Sequence, residues 1–173
     1  MSIFTRDAVL RSLLEVLAEG YEGPRDPRMT WFVENAADSG LFGTLRALSA
    51  GEASRAPGSG RRSVAAHAEH LRFSMDVLSR FIAGERVRPD WARSWAVETV
   101  DERGWEELRA ALRGEYERLR RTVDEVRDWK ELTLAAVAGA LAHAAYHLGA
   151  VRQIALAVRG QDARAPAVEA GAG

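Results

Sequence analysis

The stretch LTLAAVAGALAHAAYHLGAVRQIALAV, residues 132–158, decides the fold of this chain. Its first 20 residues, 132–151, carry no formal charge, and no proline or polar cluster interrupts it, so one long helix is predicted. Two histidines, His143 and His147, lie four residues apart and therefore share one helical face, with Cβ atoms about 5–6 Å apart. Two imidazoles at that separation can bind one metal ion.

The other two histidines of the chain, His67 and His70, lie one helical turn apart in a second apolar stretch. A buried imidazole without a partner costs about 1–3 kcal/mol. Neutral imidazole is a good ligand for zinc, nickel, copper or iron, and a shared metal would remove that cost. We therefore expect a metal site where the two pairs meet. The alternative is that the histidines only pack the core.

The residues around the histidines exclude two common metal architectures. No glutamate follows His143, so the zincin motif His-Glu-x-x-His is absent. The di-iron bundle motif needs a glutamate three residues before each histidine, and those positions hold other residues: Val64, His67, Ala140 and Ala144. A mononuclear site with three or four histidines remains. Three protein ligands would leave one position open for water or substrate.

Length and composition limit the class of protein. The 173 residues fit one domain, which we expect over residues 1–160, with a disordered tail over 161–173 that has too little apolar surface to fold. The absence of cysteine excludes disulfides, thiolate ligands and a cysteine nucleophile. The net charge of −1 gives no electrostatic support for nucleic-acid binding.

Helical periodicity and capping residues predict an all-α fold of four long helices, a four-helix bundle. No strand pattern interrupts them. A short helix over 41–48, entered through Gly40, and a flexible loop over 51–60 are expected before the second long helix. The four long helices are expected from the cap Thr5 to about 19, over about 62–83, from the cap Asp101 to about 127, and from 131 onwards after the capping pair Asp128 and Glu131.

The stretch 132–158 is long enough to cross a membrane, but its alanine content and two histidines favour a buried helix of a bundle. The first residues combine charges with short apolar runs and do not form a signal peptide. We therefore expect a cytoplasmic protein without a membrane partner.

Three segments resemble the DinB-like (DinB/YfiT) superfamily of metalloenzymes. They are SVAAHAEHLRFSMDVLSRF at 63–81, the Ser94-Trp95 pair with WEELR at 105–109, and LAHAAYHLGAVRQI at 141–154. The resemblance implies a four-helix bundle with up-down-down-up topology. It also implies a divalent metal (zinc, nickel or iron) bound by one histidine of the second helix and two of the last.

By position, the resemblance assigns His143 and His147 as the last-helix ligands and His70 as the ligand of the second helix. Helical periodicity alone would accept His67 equally well, and His67 is then a neighbour of the site, an alternative ligand or a core residue. No residue stands out as a general base. Asp76 and Tyr146 point away from the histidines, and Arg72 and Arg152 are expected to form structural ion pairs.

The resemblance implies a thiol-dependent S-transferase or a hydrolase that acts on a small molecule, with a low-molecular-weight thiol as co-substrate. The alternative function is a non-enzymatic, stress-related protein that binds a small molecule or a metal. Members of the family often form homodimers, and the tryptophan-rich connection at 91–95 could serve such an interface or pack the core.

Overall fold

The computed structural model describes residues 5–127 and 129–162, and every regular element in these two ranges is helical. The expected all-α class is therefore confirmed. Six α-helices and one short 3-10 helix follow one another: α1 (Arg6–Glu22), α2 (Leu41–Arg46), α3 (Ala50–Ser54), α4 (Val64–Ile82), the 3-10 helix (Arg93–Trp95), α5 (Glu102–Glu125) and α6 (Glu131–Asp162).

Side-chain caps begin three of the four long helices, as expected for two of them. The side chains of Thr5, Ser63 and Asp101 each accept a hydrogen bond from the backbone N–H three residues later, at 2.7–3.2 Å. These caps satisfy backbone donors that have no partner within the helix. The expected capping by Asp128 falls on a residue outside the described ranges, and α6 begins at Glu131 as predicted.

The prediction of a flexible loop over 51–60 was wrong in its first part, because α3 occupies Ala50–Ser54. Ser49 and Glu52 form a capping box, in which the serine hydroxyl accepts from the Glu52 backbone N–H at 3.2 Å and Glu52 accepts from that of Ser49 at 2.9 Å. Glu52 also binds Arg159 of α6 at 2.7 Å. The sequence contains the serine-to-glutamate spacing of a capping box, but Gly51 is a poor helix former and therefore favours the interpretation as a loop.

Helix boundaries differ slightly from the expectations elsewhere. The first helix extends to Glu22 and ends at Gly23, whose φ of 97° favours glycine. The helix α2 ends at Arg46, two residues early, and α6 ends at Asp162. The predicted disordered tail therefore lies almost wholly outside the described residues. Glycine is needed at position 40 because the backbone there passes close to the end of α1. A Cβ at this position would lie 2.3 Å from the backbone nitrogen of Gly23.

Helix α4 is buried on several sides and carries two overlapping apolar stripes: Val64, His67, Leu71, Leu78 and Ile82, and Ala66, His70, Phe73, Val77 and Phe81. It packs against α5, α6 and the 3-10 helix, and the stripe containing Val64, Leu71 and Ile82 lies in the core. The second stripe is less buried towards its end, where Phe81 is 38% exposed. Val77 and Phe81 help to line a cavity that is open to solvent at this end of the helix.

The connection between α4 and α5 returns to the start of α4. The Ser63 hydroxyl donates to the Glu98 carbonyl at 2.6 Å, and the Ser54 hydroxyl exchanges hydrogen bonds with Val100 at 2.9 and 3.1 Å. Helix α5 therefore begins beside the start of α4. This return also places the 3-10 helix directly against the histidine-bearing part of α4.

Helix α6 is long and apolar enough to cross a membrane by length and composition, and 28% of its most apolar stretch is buried. It nevertheless packs along α1 and α4. One side of the helix contributes to the hydrophobic core through Val137, Leu148, Val151 and Val158. One side of α6 therefore belongs to the core, while most of its apolar window is not buried in this chain.

The carboxylate of Glu19 holds the chain that follows α1. Glu19 is 6% exposed and accepts the backbone N–H groups of Trp31, Phe32 and Val33 at 2.7–3.2 Å. A buried carboxylate that accepts several backbone hydrogen bonds leaves each of those donors unsatisfied when it is removed. This one side chain therefore fixes the irregular segment between α1 and α2.

We expect Glu19→Gln to lower the free energy of unfolding by about 2–3 kcal/mol, because an amide can replace only part of the acceptor capacity. The control is Glu15→Gln, which removes the same charge from an exposed position one turn earlier on α1. Urea denaturation monitored by circular dichroism measures both. Equal stabilities of the two variants would contradict this role of Glu19.

Candidate metal centre

The packing of α4 on α6 brings three imidazole rings together. The Nε2 atom of His143 lies 3.1 Å from Nε2 of His70 and 2.9 Å from Nε2 of His147. Ring nitrogen atoms of the three histidines all lie within 4.8 Å of one another. The three residues are those that the sequence resemblance indicated as a ligand set. Their role as metal ligands stays a prediction.

His67 occupies a different position from the other three. Its Nδ1 atom lies 2.7 Å from Nδ1 of His147, on the side of that ring opposite to the Nε2 atom that approaches His143. Its ring also meets the Trp95 ring edge-on, with centroids 5.4 Å apart. His67 therefore contacts a member of the cluster and contributes no nitrogen to the group of three.

The hydroxyl of Ser94 fixes the tautomer of His70. Its single hydrogen is donated to the Trp91 carbonyl oxygen at 2.7 Å, so its oxygen must accept from the Nδ1–H of His70, also at 2.7 Å. A neutral ring protonated at Nδ1 carries its lone pair on Nε2. The nitrogen of His70 that faces His143 is therefore an acceptor.

The ring of His147 has a partner on its opposite side, Nδ1 of His67, and either ring can donate in that contact. When its Nδ1–H donates to Nδ1 of His67, its Nε2 atom also presents a lone pair to His143. Three ring nitrogens then meet with at most one hydrogen among them, which cannot satisfy all three. A cation that accepts all three lone pairs can do so, and imidazole nitrogen suits zinc, nickel or iron. The donor set therefore fits a divalent metal.

Burial keeps the four rings neutral. Burial is the main cause of a lowered pKa at all four rings, and neighbouring imidazoles contribute at His70 and His147, because a charged ring disfavours protonation of the next. Together these effects lower the pKa of His67 and of His70 to about 4 and that of His147 to about 3. Neutral imidazole is the form that binds a metal.

Trp95 covers the cluster on the side of the α4–α5 connection. Its ring stacks on that of His70, with centroids 4.0 Å apart and planes 14° apart. Because His70 is 9% exposed and Ser94 is fully buried, this side of the site is closed to bulk solvent. The sequence showed Ser94 and Trp95 only as part of a resemblance, since residue spacing cannot reveal that a connection folds back over an earlier helix.

The other polar residues considered from the sequence do not join the cluster. Asp76 binds Arg118 of α5, and Arg72 binds Glu69 at 2.7 Å, so the expected structural ion pairs are present. Arg152 likewise binds Glu34 at 3.2 Å, and Tyr146 is 69% exposed. Within the described ranges, the group of potential metal ligands contains histidines alone.

A cavity of about 360 Å³ adjoins the cluster. Residues of α1, α4, α5 and α6 line it, together with Trp91 of the connection, and His143 contributes to its wall. This size lies within the range of small-molecule sites, which are mostly apolar with a few polar groups. One ring of the cluster is therefore accessible from a space that can hold a small molecule.

Comparison with known proteins supports the resemblance seen in the sequence. The sequence model of the DinB superfamily matches residues 36–151, which is more than half of the 173-residue chain and includes all four histidines and Ser94. No curated protein and no solved structure matches the chain. The family match, together with a helical fold in which histidines of α4 and α6 converge, shows that the chain belongs to the DinB superfamily.

Proposed function

We propose that this protein is a divalent-metal-dependent enzyme whose ion is bound by His70, His143 and His147. The observation that carries this proposal is the convergence of three neutral imidazole nitrogens within 4.8 Å. With three protein ligands a metal retains an open coordination position, which is typical of catalytic rather than structural sites. The adjoining cavity supplies space for a substrate at the accessible ring, His143.

Thiol S-transfer or hydrolysis is the chemistry that this site supports best. A divalent cation bound by neutral ligands keeps its full charge and lowers the pKa of water or of a thiol. Because the chain contains no cysteine, a reacting thiol would come from a low-molecular-weight co-substrate. A cytoplasmic location would suit such a co-substrate, since thiols are kept reduced in that compartment.

The proposed fold is a four-helix bundle with up-down-down-up topology. The start of α5 lies beside the start of α4, because Glu98 and Val100 are hydrogen-bonded to Ser63 and Ser54. This arrangement supports a parallel α4 and α5, joined by the long connection that such topology requires. The short connection between α5 and α6 supports opposite directions for these two helices, although α5 packs mainly on α4 and α6 packs on α1 and α4.

A non-enzymatic metal-binding or small-molecule-binding protein is the second candidate function. It is favoured by the lack of a carboxylate in the histidine group, over the residues that the structure describes. Such a site has no side chain placed as a general base beside the rings. Turnover of thiol-dependent test substrates by the metal-loaded protein would distinguish an enzyme from a binding protein.

The first prediction concerns the ligand set. We expect His143→Ala to remove bound metal, because its Nε2 atom lies closest to both other nitrogens of the group. The control is His67→Ala, which should retain metal at the original stoichiometry with weaker affinity. Elemental analysis of the purified proteins measures both. Unchanged metal content in His143→Ala would rule out the proposed site.

The second prediction concerns Ser94. We expect Ser94→Ala to weaken metal affinity about 10–100-fold, because groups that orient a histidine ligand typically contribute this much. The matched control is Ser74→Ala, whose hydroxyl donates to the backbone carbonyl of His70 at 2.7 Å and does not touch the ring. Competition with a metal chelator measures both affinities. Equal affinities for the two variants would show that Ser94 does not orient the ring.

A homodimer formed through α6 is proposed as the quaternary structure. The exposed positions of α6 from Leu132 to Ala157 carry no charged residue, and Leu132, Tyr146 and Leu156 are 65–69% exposed. This uncharged side extends for about 36 Å, from the helical rise of 1.5 Å per residue. A second copy of the same uncharged face is a suitable partner, because contiguous exposed apolar surface typically marks an interface.

We expect the protein to have twice the monomer mass at micromolar concentration and Leu156→Glu to reduce it to a monomer, because a charge would be buried in the interface. The control is Ala110→Glu, which places the same charge on an exposed position of α5. Multi-angle light scattering measures the masses. A monomeric unmodified protein would contradict the proposal.

A further inference from the structure

The cavity beside the histidine cluster has an unusual chemical composition for this chain. Charged residues make up 28% of the sequence, yet its 15 lining residues include no aspartate, glutamate, lysine or arginine. Leucine, methionine, valine, alanine and aromatic side chains form most of its wall. The cavity is therefore an apolar space that ends at an imidazole.

The charged side chains near the cavity form ion pairs outside its lining. Arg72 and Asp76 lie on the same segment of α4 as the lining residues, but Arg72 pairs with Glu69 and Asp76 pairs with Arg118 of α5. None of these four residues lines the cavity. A charged ligand would thus lose its hydration without gaining a counter-ion from the described part of the chain. That cost is large for an ionised group, whereas an apolar group gains free energy on burial.

Tyr21 supplies a polar group in this apolar wall. The residue is 2% exposed, and none of the described residues forms a hydrogen bond with its hydroxyl. Burial raises the pKa of this hydroxyl, so it stays protonated and can donate. By contrast, the hydroxyl of Ser74, which also lines the cavity, donates to the His70 carbonyl at 2.7 Å.

Given the function proposed above, we propose that the substrate bound in this cavity has an uncharged, largely apolar body that carries a hydrogen-bond acceptor for Tyr21. This body fills the space between the four long helices, and one end of the molecule reaches the His143 wall. An anionic group would be balanced only where it meets the ion proposed at His143, because no cationic side chain lines the cavity.

Calorimetric titration with two matched ligand pairs tests the proposal. The neutral probes are 2-naphthamide and the smaller benzamide, and the anionic probes are naphthalene-2-sulfonate and benzenesulfonate. The full chain is titrated as purified and after removal of metal with a chelator. We expect at least one neutral probe to bind the metal-free protein at least tenfold more tightly than its anionic counterpart, because no ion is then present to balance the sulfonate. Equal or tighter binding of both anionic probes by the metal-free protein, or no binding of either amide, would overturn the proposal.

Two helical glycines provide a matched test of where the probe binds. Gly139 of α6 lines the cavity and Gly114 of α5 does not, and a Cβ added at either meets no atom within 4 Å. We expect Gly139→Leu to weaken amide binding at least tenfold and Gly114→Leu to leave it unchanged. A second cavity variant, Ala140→Phe, guards against an effect peculiar to position 139. Unchanged binding in both cavity variants would overturn the assigned location.

Tyr21→Phe tests the hydrogen bond. We expect it to weaken 2-naphthamide binding about fivefold while leaving the binding of naphthalene, which lacks an acceptor, unchanged. An equal effect on both ligands would contradict the role of the hydroxyl. Amide binding by a protein that holds no metal in any preparation would support the cavity and refute the proposed metal site. Metal binding without amide binding would support the proposed metal site and refute the proposal for the cavity.

Discussion

The contact between α4 and α6 at their histidines is the interaction on which the rest of this molecule depends. Two helices that pack face to face usually bury aliphatic side chains, and here they bury imidazoles with nitrogen atoms 2.9 and 3.1 Å apart. Because neutral rings of this kind cannot all be satisfied by hydrogens, the contact is costly without a cation. Convergent ring nitrogens thus occupy a part of the core where helix packing usually places aliphatic side chains.

The connection between α4 and α5 makes that site specific. By returning to the start of α4, it places Ser94 against the inner nitrogen of His70 and Trp95 flat on the same ring. The serine determines which nitrogen carries the hydrogen, and the tryptophan prevents the ring from rotating. His67 acts on His147 from the other side, so two of the three rings are oriented by groups outside the cluster.

The cluster and the cavity place a polar and an apolar surface side by side. The nitrogens are collected at one wall, while the space beyond is free of charged side chains. Charges of α4 that could have entered this space are held by ion pairs with Glu69 and Arg118. A low-dielectric surrounding of this kind strengthens the electrostatic effect of any ion at the cluster.

The sequence by itself determined the helical class, the approximate extent of the four long helices, the caps Thr5 and Asp101, and the two histidine pairs, because these depend on local periodicity and short-range spacing. Family resemblance singled out His70 over His67. Only the tertiary structure decided that three nitrogens meet, that Ser94 and Trp95 reach back to α4, and that Tyr21 lines an uncharged cavity. Each of those facts joins residues far apart in the chain, and the long-range packing that joins them leaves no periodic signal in the sequence.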